Sequence, residues 1–284
     1  MPELPEVETI KLFLDRNIPG RKIESVNVLN EKSFLGDPRL ILNKTIKSVE
    51  RRAKVLRIRF EEIELLIHLK MSGQMIFVGK EKHIGGHPTK DMFGDLPNKS
   101  TRVIFNLSDG STLYFNDQRK FGWIKVVTSN KLDSDKFIAS LGPEPLEENF
   151  SREILKNNLL RRKKTPIKVA LLDQEIIAGV GNIYACEACF IARIDPRVRI
   201  EEMGDEEFRA IHRGVVEALR SGVKYGGSSK THFADPEGKK GLFLDYAFVY
   251  GREKLSCKQC GTPIEKIKLG GRGTFYCPKC QLKR

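Results

Sequence analysis

Apolar residues recur at two different spacings along this chain. Near the start, Val7, Ile10, Leu14 and Ile18 follow the three-to-four-residue interval of an amphipathic helix over residues 6–18. From about residue 23 to 128, short runs of apolar and polar residues alternate, which is typical of strands with one buried face. The helical interval then returns and predicts helices over 151–160, 166–177, 182–193 and 205–222.

The alternating region contains six strand candidates, which are Ser25–Leu29, Val55–Phe60, Glu64–Leu69, Gln74–Val78, Arg102–Leu107 and Thr112–Asn116. The sequence Ser108-Asp109-Gly110-Ser111 predicts a hairpin turn between the last two. Strands at this density predict an antiparallel β-sandwich or a flattened barrel. Residues 79–100, which are rich in glycine, proline and charge, are predicted to be a mobile loop, and residues 141–145 an interdomain linker.

Length and charge limit the class of protein. A chain of 284 residues is long enough for two domains and a small module. It lacks an apolar run of the roughly 20 residues that a membrane helix needs, and its first residues lack the apolar stretch of a signal peptide. We therefore expect a cytoplasmic protein without a membrane partner. The net charge of +13 predicts an anionic partner, with nucleic acid ahead of a membrane surface.

Two Cys-x₂-Cys pairs close the chain, with sixteen residues between them: Cys257, Cys260, Cys277 and Cys280. Four thiolates at this spacing can surround one Zn²⁺ tetrahedrally and leave no open coordination position. Disulfides are the alternative, but they are rare in the cytoplasm. Residues 251–284 hold nine Lys and Arg against two Glu, so the predicted zinc module is also basic.

The amino terminus carries a possible nucleophile. Removal of Met1 before Pro2 would expose a secondary amine, and an α-amine titrates near pH 8, so an unprotonated fraction exists at neutral pH. Glu3 beside it can donate or accept a proton. Taken alone, these residues are better explained as an extended segment that leads into the first helix.

The chain as a whole resembles the formamidopyrimidine-DNA glycosylase family. The resemblance is carried by blocks that occur in order: PELPEVET from Pro2, SVERRAK from Ser48, HLKMSG from His68, DQRKFG from Asp117, LGPEP from Leu141, GVGNIYA from Gly179, VYGR from Val249 and GRGTFYC from Gly271. It implies an α+β multidomain fold, with an N-terminal antiparallel β-sandwich domain and helix over 1–130, a linker over 131–146, a helix–two-turns–helix domain over 147–248 and a zinc-finger β-hairpin over 249–284.

The resemblance also implies catalytic roles. In the family, the mature N-terminal proline attacks C1′ of the damaged nucleotide, so Pro2 is the expected nucleophile and Glu3 the acid that assists opening of the deoxyribose ring. Lys54 matches a lysine implicated in proton transfer and phosphate binding. Arg272 matches a zinc-finger arginine that grips the phosphates flanking the lesion. Glu6 is expected to orient the nucleophile.

Other matched residues imply contacts with DNA. Met71, Arg119 and Phe121 match the side chains that fill the gap in the opened duplex, and Arg119 can bond the orphaned cytosine. Lys163 and Asn182 match contacts to the phosphates, the latter at a helix N-terminus, which favours anions. The loop over 226–241 matches one that folds over the extruded purine.

The resemblance implies a bifunctional DNA glycosylase and AP lyase of base excision repair. It would excise oxidised purines, 8-oxoguanine and formamidopyrimidines, through a Pro2 Schiff base and β,δ-elimination. We expect a monomer with one structural zinc that acts on damaged double-stranded DNA in the bacterial cytoplasm, with no obligate protein partner. The alternatives are an endonuclease VIII-type enzyme for oxidised pyrimidines and, in a different class, a non-catalytic zinc DNA-binding protein.

The chain departs from the family pattern in two places. Cys186 and Cys189 form a third Cys-x₂-Cys on a predicted helix, and we expect two partly buried thiols without a metal. Ser100 stands where the family often has a DNA-contacting histidine, and the alternatives are that His83 or His87 replaces that contact or that the contact is absent.

Overall fold

The computed structural model describes residues 1–87, 94–228 and 241–282. The described residues up to Ala139 form one compact unit with residues 226–228 and 241–242, and residues 140–225 form a second with 243–282. The domain boundaries predicted from the sequence stay a prediction. Among the described residues, no helix is long and apolar enough to cross a membrane.

The first helix, α1, spans Leu4–Asn17. Leu4, Val7, Ile10 and Leu14 are all buried, as the apolar interval predicts. The helix begins two residues earlier than the interval predicts, because Pro5 fits a first helical turn, where its fixed φ is suitable and its missing N–H is not needed.

Among the described residues of the first unit, ten strands form two five-stranded sheets. The strands are β1 (Ile23–Val28), β2 (Phe34–Leu35), β3 (Ser48–Arg52), β4 (Val55–Arg59), β5 (Ile63–His68), β6 (Gly73–Val78), β7 (Lys82–Gly86), β8 (Thr101–Leu107), β9 (Thr112–Asp117) and β10 (Trp123–Thr128). One sheet has the order β1-β8-β9-β6-β7 and is antiparallel throughout. The other has the order β2-β10-β5-β4-β3, in which only the short β2 runs parallel to its neighbour.

Side chains from α1 and from both sheets form one hydrophobic core, which includes Leu14, Ile67, Phe105 and Phe115. The β8–β9 hairpin closes at the predicted turn, where the hydroxyl and the backbone N–H of Ser111 both donate to the Asp109 carboxylate. The predicted β-sandwich with an N-terminal helix is therefore confirmed.

The strand prediction missed β2, β3, β7 and β10. The interpretation of residues 79–100 as a loop was wrong for β7, which pairs with β6 along its whole length. Glycine misleads here because it is a weak strand former and a common loop residue. A Cβ on Gly85 would lie 2.7 Å from Cγ1 of Ile10, so this strand needs glycine to pass close to α1.

After the short helix α2 (Lys136–Ala139), the second unit contains α3 (Arg152–Leu160), α4 (Ile167–Ala170), α5 (Asn182–Ile191), α6 (Asp205–Lys224) and α7 (Phe243–Tyr246). The helix predicted over 166–177 is wrong beyond Ala170. Gln174 replaces the missing helical hydrogen bonds, because its amide donates to the carbonyls of Leu172 and Val180 and accepts the N–H of Gly179.

The chain ends in an antiparallel hairpin of β11 (Glu265–Leu269) and β12 (Arg272–Tyr276). This confirms the predicted zinc-finger hairpin. Glu187 on α5 anchors the segment that enters this module, because its carboxylate accepts the N–H groups of Phe248, Val249 and Tyr250 at 2.8, 2.9 and 2.8 Å. Burial raises the pKa of Glu187, and these hydrogen bonds oppose that rise.

Candidate active site and DNA-binding residues

The amino-terminal residues lead directly into a buried helix. Pro2 is buried, and Glu3, which caps α1, is 3% exposed. The N–H of Glu3 donates to Oε2 of Glu6 at 2.7 Å, so the first helical turn holds the peptide that joins Pro2 to Glu3. A chain end held in this way keeps its nitrogen at a fixed place, which a nucleophile requires.

Lys54 lies in the turn between β3 and β4 and is 5% exposed. Ala53 before it has a left-handed φ of 53°. Arg51 stabilises this turn, because its guanidinium donates to the Ala53 carbonyl at 2.9 Å and to the Glu8 carboxylate on α1 at 2.7 Å. The structure therefore ties the Lys54 turn to the helix that follows the predicted nucleophile.

His68, at the end of β5, organises the turn that carries Met71. Its Nδ1 accepts the backbone N–H of Lys70 at 2.9 Å, and its ring packs 5.6 Å from the indole of Trp123. Burial, together with the positive charges of Lys70 and Lys54, lowers the pKa of His68 to about 3. The ring is therefore neutral at pH 7, and Nδ1 remains an acceptor.

Asp117, at the end of β9, holds the second turn of the predicted DNA-contacting group. It is fully buried, and its carboxylate accepts the N–H groups of Arg119 and Gly122 at 3.1 and 2.6 Å. It also accepts the hydroxyl of Ser72 at 2.5 Å, and that hydroxyl in turn accepts the Arg119 N–H at 3.0 Å. Because Ser72 follows Met71, this network joins the two turns.

Arg119 and Phe121 face outward, and Met71 on the neighbouring turn is half-buried. Phe121 is 54% exposed, and the guanidinium of Arg119 lies 4.8 Å from the centre of its ring. Lys120 between them has a left-handed φ of 59°, a conformation that costs a side chain of this kind on the order of 1 kcal/mol. The structure thus brings Met71, Arg119 and Phe121 onto adjoining turns with buried supports.

Asn182, at the start of α5, connects the helices of the second unit to the zinc hairpin. Its Nδ2 donates to the Gly273 carbonyl at 2.9 Å, and its Oδ1 accepts a hydrogen bond from Nζ of Lys168 at 2.5 Å. Lys168 is fully buried. Arg272 directly precedes Gly273 and is exposed, so the Asn182 contact fixes the strand that presents Arg272.

Lys163 lies in the exposed turn that follows α3. Its carbonyl accepts the N–H of Glu201 at 2.9 Å, which holds the backbone of this turn. The neighbouring Arg161 and Lys164 are also exposed, so the turn presents a basic patch in the same unit as Asn182 and Arg272.

The four cysteines of the terminal module converge. Their Sγ atoms all lie within 4.8 Å of one another. The Cys257–Cys280 and Cys260–Cys277 sulfur pairs are 3.9 and 3.5 Å apart, close to the roughly 3.8 Å edge of a tetrahedron with zinc–sulfur bonds of about 2.3 Å. The geometry therefore fits one structural Zn²⁺ held by four thiolates.

Cys186 and Cys189 form no disulfide among the described residues and are fully buried, so the expectation of partly buried thiols was wrong. Their helix, α5, packs on one side against the zinc module, and Cys186 belongs to that hydrophobic cluster. Burial also raises the pKa of the Cys189 thiol, which makes it unreactive at neutral pH.

The three residues considered for the missing histidine contact have different surroundings. Ser100 is 2% exposed. His83 packs with its ring centre 4.5 Å from that of Phe13 on α1. His87 is exposed, and partial burial, with a smaller contribution from the positive charge of the amino terminus, lowers its pKa. Of the two histidines, His83 thus packs against α1, and His87 is the exposed one.

Sequence reasoning missed four buried residues that support the predicted site: His68, Asp117, Lys168 and Glu187. The first two open the blocks HLKMSG and DQRKFG, in which only later residues were predicted to contact DNA. A histidine or an aspartate directly after a buried strand was the available signal. Lys168 and Glu187 lie in helical patterns, where a charged residue usually indicates solvent.

Comparison with known proteins matches three family descriptions to consecutive parts of the chain. Residues 1–124 match the formamidopyrimidine-DNA glycosylase N-terminal domain, and residues 141–234 match the formamidopyrimidine-DNA glycosylase H2TH domain. Residues 255–282 match a zinc finger found in FPG and IleRS.

Full-length relatives agree with these matches. The chain is 38% identical to the formamidopyrimidine-DNA glycosylase of Cytobacillus firmus over 99% of this chain and 100% of the relative. It is 41% identical to that of Pelotomaculum thermopropionicum over 99% of both. Among solved structures, Lactococcus lactis Fpg with abasic-site DNA superposes with a TM-score of 0.86 at 30% identity, and MutM with carbocyclic 8-oxo-G DNA with 0.85 at 31%, each over 99% of this chain and 100% of the other.

His68 makes the first unit sensitive to acid. Its folded pKa of about 3 lies below the unfolded value of 6.5, so its contribution to stability is complete above pH 6.5 and is lost as the pH falls toward 3. We expect a loss of about 2 kcal/mol between pH 6.5 and 5. His68→Asn, whose Oδ1 can accept the Lys70 N–H, should lose less over this interval. Urea unfolding, followed by the fluorescence of Trp123, the single tryptophan, gives the free energy of unfolding of the wild type and of the variant at each pH. Equal acid sensitivity of the two proteins would show that His68 is not the source of the acid-dependent loss of stability.

Removal of a zinc ligand should destabilise the fold of the terminal zinc module. Cys257→Ser is expected to lower zinc content well below one ion per chain and to weaken DNA binding with it, because metal binding and folding are linked in such modules. Elemental analysis and fluorescence anisotropy measure the two effects. Cys189→Ala is the matched control, since it removes a buried thiol that lies outside the metal cluster. Zinc-free protein with full DNA affinity would refute the structural role.

Proposed function

The chain belongs to the formamidopyrimidine-DNA glycosylase family, and from this premise we propose that Pro2 is the nucleophile with which it excises oxidised purines from DNA. The protein is a DNA glycosylase and AP lyase of base excision repair. The observation that carries the proposal for Pro2 is the buried amino-terminal segment, in which α1 begins at the second residue after Pro2.

In the proposed reaction, the nitrogen of the mature Pro2 attacks C1′ of the damaged nucleotide, and the bond from C1′ to the base breaks. Glu3 donates the proton that allows the deoxyribose ring to open, which leaves an iminium between Pro2 and C1′. β,δ-Elimination then breaks the bonds to the two flanking phosphates. Removal of Met1 is a requirement, because an acylated proline nitrogen has no free lone pair.

Lys54 and Arg272 complete the proposed catalytic group. Lys54 moves a proton at the lesion and binds its phosphate, and its low exposure supports a fixed position for the ammonium. Arg272 grips the flanking phosphates from the zinc hairpin. The Zn²⁺ ion serves this hairpin structurally, since four cysteine ligands leave no position for water or substrate.

The remaining site residues act on the duplex. A base inside the stack is inaccessible to a nucleophile, so the nucleotide must leave the helix. We propose that Met71 and Phe121 fill the space it leaves and that Arg119 bonds the unpaired cytosine. Lys163 and the start of α5 at Asn182 bind phosphates. The exposed ring of Phe121 on a turn held by Asp117 supports this role.

We also propose that the protein binds damaged double-stranded DNA as a monomer in the bacterial cytoplasm, without an obligate protein partner. The support is that both units carry predicted phosphate contacts on this one chain. The predicted lesion loop over 226–241 lies mostly outside the described residues, and its role stays a prediction.

Borohydride trapping tests the nucleophile and the substrate together. Untagged protein, with Met1 shown by mass spectrometry to be absent, should form a covalent band with a duplex that carries 8-oxoguanine opposite cytosine. Pro2→Gly should abolish or strongly reduce this band, because it replaces the secondary amine. A protein with an N-terminal extension is the matched control, since it keeps Pro2 but acylates its nitrogen.

A strong preference for thymine glycol over 8-oxoguanine in the same assay would move the chain to the endonuclease VIII-type alternative. DNA binding without any trapped band or strand cleavage would support the non-catalytic alternative.

DNA affinity should fall steeply with salt. Three predicted phosphate-binding cations, Lys54, Lys163 and Arg272, would release counterions on binding and give a loss of about fortyfold between 50 and 200 mM salt. Anisotropy titrations at several salt concentrations measure this slope, and sedimentation of the complex gives its stoichiometry. A flat salt response would contradict the phosphate contacts, and a complex with two chains would contradict the monomer.

A further inference from the structure

The Glu6 carboxylate joins two segments that are far apart in sequence. Its side chain is 2% exposed. Oε2 accepts the N–H of Glu3 at 2.7 Å, and Oε1 accepts the N–H of Ser228 at 2.8 Å. One buried carboxylate thus contacts both the peptide that follows Pro2 and the segment Gly226–Ser228, and all of these residues belong to the first unit.

The contact depends on glycine at position 227. Gly227 has a φ of +84°, and a Cβ there would lie 2.9 Å from Oε1 and 3.0 Å from Cγ of Glu6. Both separations are shorter than ordinary van der Waals contact. A side chain at this position would therefore displace either the Gly226–Ser228 backbone or the Glu6 carboxylate.

We propose that Glu6 is a positioning residue that couples Gly226–Ser228 to the nucleophile. The N–H of Glu3 belongs to the peptide bond from Pro2, so the orientation of this peptide follows the Glu6 carboxylate. The N–H of Ser228 holds the other oxygen of that carboxylate and fixes its rotation. Displacement of Gly226–Ser228 therefore loosens the Pro2–Glu3 peptide, although neither segment need touch the other.

This inference rests on the proposed role of Pro2 and makes a specific claim about it. If Gly226–Ser228 served only to recognise the damaged base, a change there would leave attack on a baseless site unaffected. If the coupling through Glu6 operates, the same change slows the attack even when no base is present. An abasic-site duplex separates the two cases.

The experiment measures single-turnover borohydride trapping on an abasic-site duplex, with DNA affinity measured in parallel by anisotropy. Glu6→Gln keeps one acceptor oxygen and turns an amide group toward the second N–H. Gly227→Ala displaces the carboxylate by contact. We expect each variant to slow trapping by about tenfold, the effect of losing one hydrogen bond to a charged group, while affinity changes less than about twofold.

The double variant tests the coupling itself. If both changes act through the same carboxylate, their combined effect should be clearly smaller than the product of the single effects. A merely structural loss of stability would not produce this pattern. Thermal unfolding of each variant verifies that it is folded, and if Gly227→Ala fails to fold, Ser228→Pro, which removes the N–H donor to Glu6 without adding a side chain at position 227, takes its place in the cycle.

Gly226→Ala is the matched control. Gly226 also has a left-handed φ, +67°, but a Cβ there would meet only the Cα of Gly241 at 3.8 Å. It therefore introduces comparable backbone strain without contact with Glu6. We expect the trapping rate of Gly226→Ala to be at least about fivefold higher than that of Gly227→Ala.

The outcomes are distinct. Equal effects of the two alanine variants, or multiplicative effects of Glu6→Gln and Gly227→Ala, would overturn the coupling. So would a Gly227→Ala protein that traps abasic DNA at the wild-type rate but fails on 8-oxoguanine. Absence of trapping by the mature wild-type protein would instead remove the proposed nucleophile, and with it the premise of the inference.

Discussion

The proposed site depends on one constraint, which is that a chain terminus that acts as a nucleophile must be rigid. Chain ends normally fray, and a nucleophile on a frayed end would rarely meet its target in the right geometry. In this protein α1 begins at Leu4, and its apolar face is buried from that residue onward. The Glu6 carboxylate then turns back to hold the Glu3 N–H. The hydrophobic burial of α1 thereby fixes the position of Pro2.

Similar support from a side chain recurs at three other places in the predicted site. Asp117 accepts N–H groups from the turn of Arg119, His68 accepts one from the turn of Met71, and Asn182 donates to the strand of Arg272. In each case a buried or half-buried polar side chain satisfies a backbone group of the segment that carries the predicted DNA-contacting residue. These hydrogen bonds, worth about 1 kcal/mol or more each, offset strain of similar size at left-handed residues such as Lys120.

Periodicity could predict the elements that carry this framework, because each of them hides one apolar face. It predicted α1, α3, α5 and α6 closely, and the cysteine spacing predicted the metal cluster. It could not predict β7, where a side chain in place of Gly85 would strike α1 and one in place of Gly86 would strike β6, or the supports Lys168 and Glu187. A buried charged residue looks like a solvated one in sequence, since its partners lie far away along the chain. The Glu187 carboxylate, for example, is bound by N–H groups some sixty residues later.

The zinc module shows why those distant partners matter. A two-stranded hairpin alone is at best marginally stable, and β11 and β12 bury too few side chains to form a core of their own. Zinc ties its two ends, Glu187 holds the chain that enters it, and Asn182 holds β12 beside Arg272. The three attachments act at different points, so together they hold the strand that carries Arg272. Four thiolates leave the metal no open position, so its part is to hold the hairpin that carries Arg272, as buried carboxylates hold backbone segments in the first unit.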